Sequence, residues 1–262
     1  MPQPLKIIIL VFLLTACATT PISNRQALIL IPEWQEIQFG KQAYKKALKD
    51  QKDSENAHLN RMLRRVGRRI AKVSDMPNLD WEFKLIESKD KNAFALPGGK
   101  IGVNTGLLKV ANNQSQLATV IGHEIGHVQA QHSNERMSLQ YATQSGMQVL
   151  GALAGEDSAT KQGVLAALGV GAEYGLALPF SRKHEAEADI IGLQLMAQAG
   201  FDPRQSVSLW QNMNAANGNE PPEFMSTHPS NSTRINGLQA RIPEVMPLYN
   251  QAKAAGRTPQ CG

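Results

Sequence analysis

One stretch constrains this chain more than any other: Leu117-Ala118-Thr119-Val120-Ile121-Gly122-His123-Glu124-Ile125-Gly126-His127-Val128-Gln129-Ala130. At about 100° per residue, His123 and His127 fall about 40° apart and project from one helical face, with Glu124 beside them. Leu117, Ile121, Ile125 and Val128 form an adjoining apolar stripe. No charge except Glu124 occurs in the stretch, so the helix is expected to be buried nearly all round. Gly122 and Gly126 each cost about 1 kcal/mol relative to Ala in a helix. Two such costs, four residues apart, imply that another element packs closely on that side. A carboxylate and two imidazoles buried together need a partner, and a divalent metal is the simplest one.

His123-Glu124-x-x-His127 is the pattern in which a helix offers two zinc ligands and a carboxylate able to act as general base. A catalytic zinc usually takes a third protein ligand. One class of zinc peptidases places a third His six residues after the second, but that position is Ser133, and His132 is expected to stand outside the site. A better candidate lies in Ser181-Arg182-Lys183-His184-Glu185-Ala186-Glu187-Ala188-Asp189. Glu185 and Asp189, four apart, share one face of a second helix. Glu185 can ligate zinc while Asp189 accepts a hydrogen bond from a ligating imidazole, fixing its tautomer. Glu187 points away and is expected at the surface; His184 is not expected to be a ligand.

The 262 residues, 42% of them hydrophobic, suffice for one large domain. The net charge of +5 is spread along the chain and gives no ground for a nucleic-acid partner. The one basic concentration, Arg61, Arg64, Arg65, Arg68, Arg69 and Lys72, reads first as a solvated helical face and second as a surface for anionic lipid. At the N-terminus, Lys6 precedes the apolar run Ile7 to Leu14 and then Thr15-Ala16-Cys17, which is signal-peptide anatomy. Leu14-Thr15-Ala16-Cys17 also resembles the bacterial lipobox, whose Cys is acylated and inserts in a lipid bilayer. With Ala18 after the Cys, that resemblance implies the periplasmic face of the outer membrane. The other Cys, Cys261, then has no partner within the chain and is expected in a frayed tail.

The expected organisation is a signal peptide over 1–16, a lipidated tether over 17–32, a peptidase domain over 33–256 and a tail over 257–262. Helical patterns span about 33–49 and 55–73. Alternation over 81–86 predicts a strand. Asn92 to Leu96 and Lys100 to Asn104 flank the turn residues Pro97-Gly98-Gly99. Asn112 or Asn113 can cap the central helix. Beyond it the pattern is helical, with apolar Gly146–Ala154 and Gly163–Leu178 expected as a mobile pair near the cleft. The fold class is therefore α+β: mainly helical, with a small sheet of three or four strands beside the central helix.

With these motifs in order, the chain resembles the gluzincin metallopeptidases of the HtpX, BepA and LoiP type, relatives of the CAAX prenyl proteases, and its layout is most like a LoiP-type lipoprotein. The resemblance rests on the two motifs above and on Asn92-Ala93-Phe94-Ala95-Leu96-Pro97-Gly98-Gly99, Leu178-Pro179-Phe180-Ser181-Arg182, and Thr227-His228-Pro229-Ser230 with Arg234-Ile235. It implies a zincin-like fold holding one zinc on His123, His127 and Glu185, with Glu124 as general base. His228 would donate to the developing oxyanion, with Arg234 positioning it, or would occupy the open metal position. An extended substrate would lie along Asn92, Ala93, Phe94 and Ala95. Its expected substrates are unfolded or misassembled envelope proteins. The alternative is a latent, zinc-stabilised chaperone or assembly factor working with the outer-membrane assembly machinery.

Overall fold

The computed structural model describes residues 17–20, 24–153, 180–216, 224, 228 and 232–261. The expected signal peptide, the second apolar segment Gly163–Leu178 and the residues flanking His228 lie outside them. In chain order the elements are β1 (Cys17–Thr19), β2 (Gln26–Leu28), α1 (Glu33–Leu48), α2 (Ala57–Ala71), β3 (Glu82–Ile86), β4 (Ala93–Leu96), β5 (Lys100–Asn104), α3 (Gln114–Gln129), α4 (His132–Leu153), α5 (Arg182–Gln198), α6 (Gln205–Ala215) and α7 (Ser232–Ala254). The α+β reading stands. Among the described residues, no helix is long and apolar enough to cross a membrane.

The sheet has strand order β3-β5-β4, with β5 parallel to β3 and antiparallel to β4. The β4–β5 turn needs its glycines: Gly98 and Gly99 sit at φ +81° and +76°, where side chains with a Cβ are strained. Amphipathic α2 lays Leu63, Val66 and Ile70 against Phe83, Leu85 and the central helix, and leaves its arginines exposed.

Helix α3 is the centre of the core. Asn113 caps it by accepting from the backbone N–H groups of Ser115 and Gln116, each at 3.0 Å. Leu117, Ile121 and Ile125 are fully buried. The close approach implied by Gly122 and Gly126 is there. A Cβ on Gly122 would stand 2.8 Å from the Gly192 carbonyl oxygen, and one on Gly126 would stand 2.9 Å from that of Ala188. Helices α3 and α5 therefore meet backbone to backbone, which brings the two sequence motifs face to face.

Both ends of the chain differ from expectation. Residues 17–32, expected as a lipidated tether, contain an antiparallel hairpin of β1 and β2. The following residues are fastened to α4: the Leu30 N–H donates to Ser138 Oγ at 2.8 Å, and Asn134 Nδ2 donates to the Ile31 carbonyl at 2.9 Å. The tail is not frayed either. Cys261 is buried, its N–H donates to Gln114 Oε1 at 2.7 Å, and Gln114 Nε2 donates to the Pro259 carbonyl at 2.6 Å. Gln114 at the start of α3 serves as the dock, a role that composition alone does not reveal.

Candidate metal centre

His123 and His127 reach the same space from successive turns of α3, and Glu185 reaches it from the first turn of α5. Helix α5 starts there because Ser181 caps it, accepting from the His184 N–H at 3.2 Å. His228 arrives from the C-terminal side. Its N–H donates to the Phe224 carbonyl at 2.8 Å, and its ring stacks on Phe224 with centroids 4.5 Å apart. Phe224 is tied in turn to the segment that leads into β4, its N–H donating to the Lys91 carbonyl at 3.3 Å.

One atom from each of His123, His127, Glu185 and His228 converges, all four within 4.8 Å of one another and all four side chains buried. The separations are 3.0 Å between the two α3 imidazole Nε2 atoms, 3.4 Å from each of these to a Glu185 oxygen, and 3.1 and 3.3 Å from His228 Nδ1 to Glu185 Oε1 and His123 Nε2. Four donors on a tetrahedron about 2.0–2.1 Å from a zinc ion lie about 3.3 Å apart. Counting both Glu185 oxygens, these separations fall near that spacing, so the donor set suits such an ion in kind and approximately in size.

The surrounding hydrogen bonds fix which nitrogens face the centre. Asp189 Oδ1 lies 2.9 Å from His123 Nδ1, so that nitrogen carries the proton and Nε2 presents a lone pair. Arg234 holds both acids, Nε and Nη2 donating to Asp189 at 2.7 and 2.6 Å and Nη1 to Glu185 Oε2 at 2.7 Å. Its guanidinium also lies over Trp210, 4.1 Å from the ring centroid. Arg234 further donates to the His228 carbonyl at 3.4 Å.

The charges agree with this layout. Burial pulls the His123 imidazole down, but Glu185 and Asp189 outweigh it and raise it to about 9. A proton is thus the competitor that a metal displaces. Burial opposes ionisation of Glu185, yet His123, His127 and His228 hold it well below the usual carboxylate range; Arg234 and His123 do the same for Asp189. Burial lowers His127 and His132, leaving both neutral. Glu124 differs from the other acids. It is 1% exposed, neither oxygen has a hydrogen-bond partner among the described residues, and burial raises its carboxyl. His228 Nε2 lies 3.6 Å away. An orphaned carboxylate beside four converging donors is the chemistry a divalent cation satisfies.

Comparison with known proteins agrees with this geometry. Residues 57–242 match the model of peptidase family M48. The chain belongs to that family. Like other M48 peptidases it is a zinc metalloendopeptidase. It is 37% identical over 239 residues to mitochondrial metalloendopeptidase OMA1 of Schizosaccharomyces pombe, covering 89% of this chain and 69% of the yeast protein. It is 30% identical over 259 residues to human mitochondrial OMA1 metalloendopeptidase, covering 92% of this chain but 49% of that one. It is 29% identical over 200 residues to the beta-barrel assembly-enhancing protease of Escherichia coli K12, covering 74% and 41%. The M48 domain here thus spans less than half the length of the human and E. coli relatives.

Two expectations about this M48 centre need correction, and one residue joins it unexpectedly. His132, placed outside the site by register, is fully buried with its Nδ1 2.9 Å from His127 Nδ1. Glu187, expected at the surface, is 4% exposed and lies 3.1 Å from His132 Nε2 and 2.8 Å from Arg25 Nε. Arg25 itself went unnoticed, because nothing in a short polar stretch marks an arginine whose partner stands 162 residues away. His184 is not among the converging donors and instead meets Glu135 at 3.1 Å. For Asp189→Asn we expect zinc affinity to fall about 10- to 100-fold, since an amide orients the imidazole less well than a carboxylate; titration of the metal-free chain against a competing chelator measures this.

Proposed function

We propose that this chain is a membrane-tethered M48 endopeptidase of the bacterial envelope that cleaves misfolded or misassembled proteins. The observation carrying the peptidase chemistry is Glu124, buried and unbonded beside four converging donors. Zinc, held by His123, His127 and Glu185, supplies Lewis acidity that polarises a peptide carbonyl and acidifies water. Glu124 takes the proton from the water as it attacks the carbonyl carbon. It then delivers that proton to the amide nitrogen as the C–N bond breaks, leaving a free carboxylate and a free amine.

Two roles were open for His228, and the distances favour one as the resting state. Its Nδ1 takes the fourth corner of the donor set, so His228 closes the centre, and cleavage requires the side chain to withdraw.

Substrate pairing along β4 is supported by that strand's place at the edge of the sheet. Ala93 is buried, whereas Asn92, Phe94 and Ala95 are partly exposed. Asn92 Oδ1 accepts from the Ala93 N–H at 2.9 Å, and the Phe94 ring lies over Gly102. These side chains therefore brace the sheet, and recognition falls to the backbone. Main-chain recognition suits a protease of unfolded proteins with little sequence preference.

Acylation of Cys17 and residence at the periplasmic face of the outer membrane rest on the N-terminal pattern, with the E. coli assembly-enhancing protease as a supporting relative. The test is hydrolysis of unfolded casein by the purified chain. We expect at least about 100-fold loss with a chelator and recovery with zinc. His228→Ala should retain zinc and cleave several-fold faster. A chelator-insensitive activity overturns the zinc-dependent mechanism, absence of hydrolysis overturns the peptidase reading, and a slower His228→Ala enzyme overturns the closed-centre role.

A further inference from the structure

Each α3 imidazole is backed by a different apparatus, and only one belongs to the motifs described so far. His123 has Asp189 and Arg234. Behind His127 stands a row of three residues. Glu187 Oε2 accepts from Arg25 Nε at 2.8 Å and lies 3.1 Å from His132 Nε2; His132 Nδ1 then lies 2.9 Å from His127 Nδ1. The proton positions follow in sequence. A carboxylate only accepts, so the one proton of His132 sits on Nε2. Its Nδ1 is then a lone pair, which requires His127 to carry its proton on Nδ1. That leaves His127 Nε2 unprotonated and facing the other donors.

Arg25 makes this row rigid. Its Nη1 and Nη2 donate to the two Glu135 oxygens at 2.7 and 2.6 Å, a forked pair, while Nε holds Glu187. Glu135 also meets His184, whose ring stacks on His132 with centroids 4.4 Å apart. Every member except Arg25 is buried, so solvent cannot replace a missing partner.

We infer that Arg25, Glu187 and His132 form a positioning relay that sets the tautomer and aim of His127, making the segment before α1 a working part of the metal centre. None of the three ligates metal. They act through His127, as a carboxylate acts through a ligating histidine elsewhere in metalloproteins, where loss of such a partner costs about 10- to 100-fold in affinity. Arg25 acts at one remove, so its effect falls at the lower end.

The test is zinc affinity of the full chain, by chelator competition, together with the rise in Tm that zinc produces. We expect the zinc dissociation constant to increase about 10-fold for Arg25→Ala and about 10- to 100-fold for Glu187→Ala and His132→Phe, each with a smaller zinc-induced rise in Tm. In the His132→Phe background, Arg25→Ala should add nothing further, because the row is already broken. A purely structural salt bridge would lower the Tm of metal-free and zinc-loaded protein alike. Wild-type affinity in Arg25→Ala and Glu187→Ala, or an undiminished effect of Arg25→Ala in the His132→Phe background, overturns the relay. Should Arg25→Ala not fold, Arg25→Lys, which keeps the charge but loses the fork, is read the same way. The readouts need no substrate, so the relay can stand or fall apart from the envelope role.

Discussion

Glu124→Gln is expected to bind one zinc per chain and to lose casein hydrolysis by about a thousandfold or more. Glutamine fills the same volume, and Glu124 is not one of the four converging donors, so the metal has no reason to leave. What disappears is the base. Burial raises the Glu124 carboxyl, which suits a group that must both accept and return a proton. Zinc stoichiometry, circular dichroism and casein turnover measured on the same preparation separate the outcomes. Near-normal turnover would remove Glu124 from the reaction. If the inactive variant still complemented a deletion strain while the metal-free His123→Ala did not, the assembly-factor reading would replace the protease reading.

The second large effect is expected at a residue with no side chain. Gly192→Val should destabilise the fold by about 3 kcal/mol or more, and the variant should carry little zinc after purification. A Cβ there would stand 2.7 Å from the Gly122 carbonyl carbon and the His123 amide nitrogen, both backbone atoms that no rotamer change can move. The only relief is to part α3 from α5, and those two helices carry His123 and His127 on one side and Glu185 and Asp189 on the other. Denaturant midpoints and metal analysis read both effects. Gly237→Ala is the control: an added Cβ meets nothing within 4 Å there, so the helix should gain up to about 1 kcal/mol. Equal behaviour of the two variants would refute the backbone seam.

What could be read from the chain alone follows the range of the interaction. Helix α3, its Asn113 cap, its Gly122 and Gly126 seam and the β4–β5 turn are local patterns, written within a few residues of one another. Glu185 and Asp189 were legible because each has a chemical duty toward a motif already identified. Glu187 was misread for the complementary reason: angular spacing on α5 places it away from Glu185 but cannot say that Arg25 and His132 wait on that side. His132 was set aside by register, although α4 begins at this residue and the change of chain direction turns it back onto His127. The docked tail was missed because its partner, Gln114, looks like any polar residue in a first helical turn.

The hairpin at the start of the chain carries a last consequence for how the enzyme would hang from a bilayer. Fifteen extended peptide units would let a body roam roughly 50 Å from its attachment point. Here the chain doubles back between Thr19 and Gln26 and is stitched to α4 through Leu30 and Ile31, so most of that slack is taken up. An acyl group on Cys17, as proposed, would then hold the body close against the lipid.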